Sequence, residues 1–236
     1  MITLILALSF LAGDDDATAT VALDKFKADY KVKEASGRAT AVNELARTQN
    51  EKVWSRLGQL LMTDEKEVRI AAAKGLAAVT ENHKKPASLL AAALAPNSKD
   101  PVVLAAILEA LGKLKEAMGA PEVEKNFKSK QIPVAKAAIE AAGEIGSRGS
   151  VQPLIDTLKW LDSNAQDAPA YGGNGGGAPA VGSGGTASDA SAKERNTTLS
   201  PIVIKTLAAL TKTSHSNLKE WEAWWRAEGA KFMSGK

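Results

Sequence analysis

The sequence predicts an all-α fold, an α-solenoid of four to five helix pairs, and three observations carry that expectation. The first is a recurring apolar pattern. Val68, Ala72, Ala73 and Leu76 reappear as Val103, Ile107, Leu108 and Leu111, as Val134, Ala138, Ile139 and Ala142, and more loosely as Ile202, Thr206, Leu207 and Leu210. A weaker copy, Gly37, Ala41, Val42 and Leu45, precedes them. Offsets of 0, 4, 5 and 8 keep each set on one face of a helix with 3.6 residues per turn. The second observation is the spacing: successive copies start 31, 35, 31 and 68 residues apart. A period of that size belongs to stacked helical units, none of which buries its apolar stripe alone. The third is composition. Of 236 residues 44% are hydrophobic but only 5% aromatic, with alanine prominent, and no alternating strand pattern competes. Alanine favours helix and lets neighbouring helices approach closely.

Along the chain, residues 1–19 read as a leader. Ile2 to Ala12 is apolar and stops at Asp14, Asp15 and Asp16. Eleven residues at 1.5 Å each cannot cross a hydrocarbon layer of about 30 Å, but a signal-peptide core has that length. Ala17-Thr18-Ala19 supplies a small-x-small cleavage pattern, although no Lys or Arg precedes the apolar run. Export with cleavage near Ala19 is therefore expected, against the alternative of a buried first helix in a cytoplasmic protein. Cysteine is absent, which removes disulfides and a lipid-anchored leader.

Residues 20–162 are expected to form the main stack. A helix over about 20–34, with Leu23, Phe26 and Tyr30 on one side, caps it, because terminal units of a solenoid are atypical. Helix pairs follow at about 38–47 with 51–62, 65–79 with 86–95, 101–117 with 121–130, and 133–145 with 150–162. Asp64 with Glu67, Asp100-Pro101, Pro133 and Ser200-Pro201 mark helix starts; Gly146 and Gly149 mark a turn. Between Ser163 and Asn196 the composition shifts to Gly, Ser and Ala, so a flexible linker is expected over 163–196. Removing its 34 residues reduces the interval of 68 to 34, which marks it as an insertion in a regular stack. Residues 197–236 then supply a last repeat helix and a cap. Asn217 with Glu220 starts that cap, and Leu218, Trp221, Trp224 and Trp225 share a broad face as a structural lid.

The segments EVRIAAAKGLAAV (67–79), DPVVLAAILEALGKL (100–114) and IPVAKAAIEAAGEIGSRGSVQPLIDTL (132–158) resemble HEAT repeats, an armadillo-like helical family. The Arg of that pattern is present as Arg69 and Arg38 but is replaced by Leu104 and Ala135 later, and EVEKNFKSK at 122–130 is too polar for an ordinary second helix. The W-x-x-W-W ending is similar to the finish of exported bacterial HEAT-repeat proteins. The resemblance implies a non-catalytic scaffold that binds a protein or peptide through a concave face lined by second helices. It also admits an enzyme similar to HEAT-like bilin lyases, and, less readily, a nucleic-acid module similar to HEAT-like alkylpurine glycosylases.

The residues give no catalytic assignment, metal site or cofactor site. His83 and His215 are the only histidines, and neither has an imidazole or thiol nearby in sequence. The glycine-rich segment lacks the strand before it and the Lys-Ser/Thr after it that a phosphate-cradling loop requires. A net charge of +3 does not by itself call for nucleic acid. The candidate partner-binding residues are cations on or near the second helices: Lys52, Arg56, Lys84, Lys85, Lys125, Lys128, Lys130 and Lys159. An acidic protein or peptide segment is the partner they would attract.

Overall fold

The computed structural model describes residues 12–166 and 186–235, and every regular element among them is helical. In order these are α1 (Ala12–Asp29), α2 (Ala35–Leu45), α3 (Glu51–Thr63), α4 (Lys66–Ala77), α5 (Lys84–Leu94), α6 (Pro101–Leu114), α7 (Ala120–Glu124), α8 (Ile132–Ile145), α9 (Val151–Gln166), α10 (Thr186–Thr211) and α11 (Leu218–Ser234). The first helices form one row, α2 against α4, α4 against α6, α6 against α8 and α8 against α10. The second helices form another. There α3 packs on α5 and α9 on α11, with α7 and the single helical turns at 117–119 and 148–150 between them. Two layers with one core between them result.

The repeating apolar positions line that core. Val42, Val68, Ala72, Ala73, Leu76, Val103, Ile107, Leu108, Ala138, Ile139, Ala142 and Leu207 are all fully buried. Adjacent units are also tied by polar contacts in the front of the stack. Arg38 of α2 meets Glu65 at the start of α4 at 2.7 Å, and Arg69 of α4 meets Asp100 at the start of α6 at 3.1 Å. Arg69 also donates to Asn97 Oδ1, while the buried Asn97 amide donates to the carbonyls of Leu61 and Ala93 at 2.9 and 2.7 Å. Further back, Leu104 and Ala135 replace the arginine and small residues bring the helices together. A Cβ on Gly112 would lie 2.8 Å from the Cα of Ala141, and one on Gly143 would lie 3.1 Å from Thr206.

Several sequence expectations are corrected. α1 begins at Ala12, not near residue 20, and runs through the expected leader boundary; Ala19 is fully buried in the core. The apolar run up to residue 11 lies outside the described residues. The expected second helix at 121–130 is reduced to α7, five residues long, followed by a turn. Its core contribution comes instead from Val123 and Phe127, at 0% and 1% exposure. The segment 163–196 is helical at both ends, since α9 continues to Gln166 and α10 begins at Thr186; residues 167–185 lie outside the described residues. Pro201 therefore sits inside α10 rather than at its start, where it removes one intrahelical hydrogen bond.

The helix caps divide in the same way. Asp100 accepts from the amides of Val102 and Val103 as a cap should. Asp64 does not cap α4: one carboxylate oxygen accepts from the Glu65 amide and the other from the Tyr30 hydroxyl, which fastens the end of α1. Gly146 ends α8 in the left-handed region, at φ 74°. At the matching places after α6 and α10 stand Lys115 and Lys212, also left-handed, at φ 55° and 61°.

Candidate functional site

The candidate cations are distributed over both edges of the second-helix layer. Lys52, Lys84 and Lys85 stand at the N-terminal ends of α3 and α5, whereas Lys128 and Lys130 follow the C-terminal end of α7. A second helix such as α5, with 11 residues, separates its two ends by about 16 Å. Several of the charges are also engaged within the chain. Lys52 pairs with Asp16 of α1 at 2.9 Å, and Asn50 donates to the other oxygen of that carboxylate at 3.3 Å. These bonds, that from Lys52 foremost, hold the Asp16 carboxyl below its ordinary range. Arg56 lies 5.5 Å over the Phe26 ring, Lys125 pairs with Glu122 at 2.6 Å, and Lys159 pairs with Glu222 of α11 at 3.3 Å. Lys84 and Lys85 share their cleft with Glu51, Glu81 and Glu116, so cations do not outnumber acids there.

Lys128 and Lys130 remain, at the turn after α7, beside the Glu122-paired Lys125. From Lys125 to Ile139 the chain contains no acidic residue, and Lys125, Lys128 and Lys130 are exposed. Val123 and Phe127 anchor this turn in the core, so the lysines project from a fixed backbone. The polarity that made the segment unlike a second helix is what exposes it.

A second feature was not legible in the sequence. α9, α10 and the start of α11 enclose a cleft of about 440 Å³, lined by Leu158 and Asp162, by Asn196, Ser200 and Ile204, and by Ser216, Asn217, Leu218, Lys219 and Glu222. Leu158 with Asp162, Asn196 with Ser200 and Ile204, and Leu218 with Glu222 are spaced i, i+4, so each helix presents one row to the cleft. Asn217 caps α11 by accepting from the Glu220 amide at 3.1 Å, and Glu220 in return accepts from the Ser216 amide at 2.7 Å. That backbone bond, with the Asn217 amide, keeps the Glu220 carboxyl below its ordinary range despite partial desolvation.

Beside the cleft lies the aromatic lid. Trp221 is fully buried, edge-on to His215 at 4.7 Å and to Trp224 at 5.7 Å. Trp224 and Trp225 are half-buried, so of the lid tryptophans placed on one face Trp221 alone is fully enclosed. Trp225 lies back across its own helix, a position open only because Gly229 lacks a side chain: a Cβ there would sit 2.8 Å from the indole. Among the described residues no group of three or more His, Asp or Glu is placed to hold a metal ion, and no helix is long and apolar enough to cross a membrane. No protein-family model matches the chain, and no characterised protein is significantly similar to it in sequence.

Proposed function

We propose that this chain is a non-catalytic scaffold of the HEAT-repeat type, exported from the cytoplasm, that binds an acidic segment of a protein or peptide partner on its second-helix layer. The observation that carries this reading is the basic turn at 125–131, anchored by buried Val123 and Phe127 beneath exposed Lys128 and Lys130, with Lys125 beside them paired to Glu122 at 2.6 Å. A rigid backbone lowers the ordering cost of binding, and clustered like charge steers an oppositely charged partner. A continuous row of first helices, α2, α4, α6, α8 and α10, supports the scaffold reading, since in such stacks each unit contributes to one extended surface. The apolar run of Ile2 to Ala12 supports export, with α1, whose Ala19 is buried in the core, kept in the exported chain.

The test is affinity capture from the exported fraction of the native host, using the chain and its Lys125→Glu/Lys128→Glu/Lys130→Glu variant. Capture by the unaltered chain should weaken as salt rises, because exposed charges are screened over about 8 Å at physiological ionic strength. The variant should lose the partner while keeping its helical circular dichroism. Undiminished capture by the folded variant overturns the basic turn as the binding surface, and confinement of the native protein to the cytoplasm overturns export.

A further inference from the structure

We infer that the edge of the stack where the first helices begin is a lysine-lined track, along which an extended acidic segment of a partner lies. This track presupposes the acidic partner proposed above and adds its length and the line it follows. Lys33, Lys66, Lys99 and Lys130 stand 33, 33 and 31 residues apart, which is the interval of the repeat itself. Lys66 is the first residue of α4, and Lys33, Lys99 and Lys130 each stand two residues before α2, α6 and α8 begin. Those four helices pack side by side in chain order, so one cation stands at each helix start. Helices packed about 8–10 Å apart make three steps of about 27 Å, a length that about eight extended residues cover.

The charge on this edge is what the ties between units leave over. Lys31, Lys33, Lys66, Lys99, Lys128 and Lys130 are exposed, and among the described residues none of their ammonium groups is in an ion pair. The acids beside them are occupied. Glu65 pairs with Arg38 at 2.7 Å, Asp100 pairs with Arg69 at 3.1 Å, and Asp64 accepts from Tyr30 and from the Glu65 amide. Glu34 and Glu67 are the acids at these helix starts without such a tie, against six lysines. The same ties fix the backbone that carries the row. Arg38 donates to the Lys33 carbonyl, and Asn97, two residues before Lys99, is buried and donates to the Leu61 carbonyl of the preceding unit at 2.9 Å. Val123 and Phe127 do the same for Lys128 and Lys130. Like charges set on fixed backbone attract an oppositely charged chain at a reduced ordering cost. A peptide suits this edge better than a nucleic-acid strand, whose bases need exposed rings to stack on. Tyr30, between α1 and α2, is half-buried with its hydroxyl bonded to Asp64.

The experiment is fluorescence anisotropy on the full chain with labelled octaglutamate and triglutamate. Octaglutamate should bind saturably and more tightly than triglutamate. The track variant Lys33→Gln/Lys66→Gln/Lys99→Gln should weaken octaglutamate about tenfold and flatten its salt dependence, with helical circular dichroism unchanged. Lys74→Gln/Lys113→Gln/Lys205→Gln, which removes the same charge from exposed positions away from these helix starts, should have little effect. Equal loss in that control, or no loss in the track variant, overturns the track. Loss with Lys128→Gln/Lys130→Gln alone keeps the basic turn and overturns the track, whereas loss with the track variant alone keeps the track and overturns the turn. Tighter binding of an octathymidylate strand than of octaglutamate overturns the peptide as occupant.

Discussion

Between α2 and α6 neighbouring units are joined by arginines that reach the start of the next first helix; between α6 and α10 they are joined by the removal of side chains. The front half has a close approach of its own, Gly75 against Ala46, but it is met by a side-chain methyl. In the rear Gly112 faces the backbone of Ala141 itself. The two ends follow suit. α1 is fastened through Asp16, Tyr30 and the Arg56–Phe26 contact, whereas α11 closes the rear with indole rings. One repeat geometry is thus held by charge at one end and by shape at the other, and the two halves should respond to different perturbations.

The largest effect should come from the rear. Trp221→Ala should cost about 3–5 kcal/mol in denaturant unfolding, since the ring is fully enclosed, while Trp225→Ala, half-buried, should cost clearly less. Gly112→Ala should destabilise by about 1–3 kcal/mol despite the better helix propensity of alanine, because the Ala141 backbone cannot give way. Gly58→Ala is its control. There the nearest atom, at 2.8 Å, is the tip of the Leu89 side chain, so equal loss at both positions would refute the backbone account.

Arg69→Ala should cost about 2 kcal/mol, for it strands the buried Asn97 oxygen and takes the partner from Asp100 Oδ2. Arg38→Ala should cost less, about 1 kcal/mol, because Glu65, 58% exposed, and the exposed carbonyls of Val32 and Lys33 to which Arg38 also donates can turn to water. Equal losses would mean that the two ties are equivalent after all. The smallest effect is in pH. The Asp16 carboxyl is held below its ordinary value of 3.8, so its contribution is present above that value and fades as pH falls through the lower folded value. Amides of α1 should then exchange faster in hydrogen exchange while those of α10 do not, and Lys52→Ala should remove the difference.

The fold was readable because burial at a repeating position leaves a periodic trace: Val68, Val103 and Val134 all lie in the core. Boundaries were less readable. Ser200-Pro201 has the local chemistry of a helix start, yet packing on α8 and α9 carries the helix through the proline. Asp64 looks like a cap, but Tyr30, 34 residues earlier, claims its oxygen. The cleft left no trace because its ten lining residues come from three helices and the turn before α11, and none is unusual alone. Lys125, Lys128 and Lys130 were visible as a run, whereas the neutralisation of Lys84 and Lys85 required Glu51 and Glu116 from other parts of the chain.

The left-handed lysines that follow α6 and α10 carry a consequence for heat tolerance. Gly146 fills the same place after α8 without strain, while Lys115 and Lys212 trade backbone comfort for a cation beside the carbonyl end of a helix. Replacing either lysine with glycine relieves a conformation that costs an L-residue about 1 kcal/mol or more. The chain thus has headroom: two substitutions at exposed helix ends would let it keep its shape at a higher working temperature.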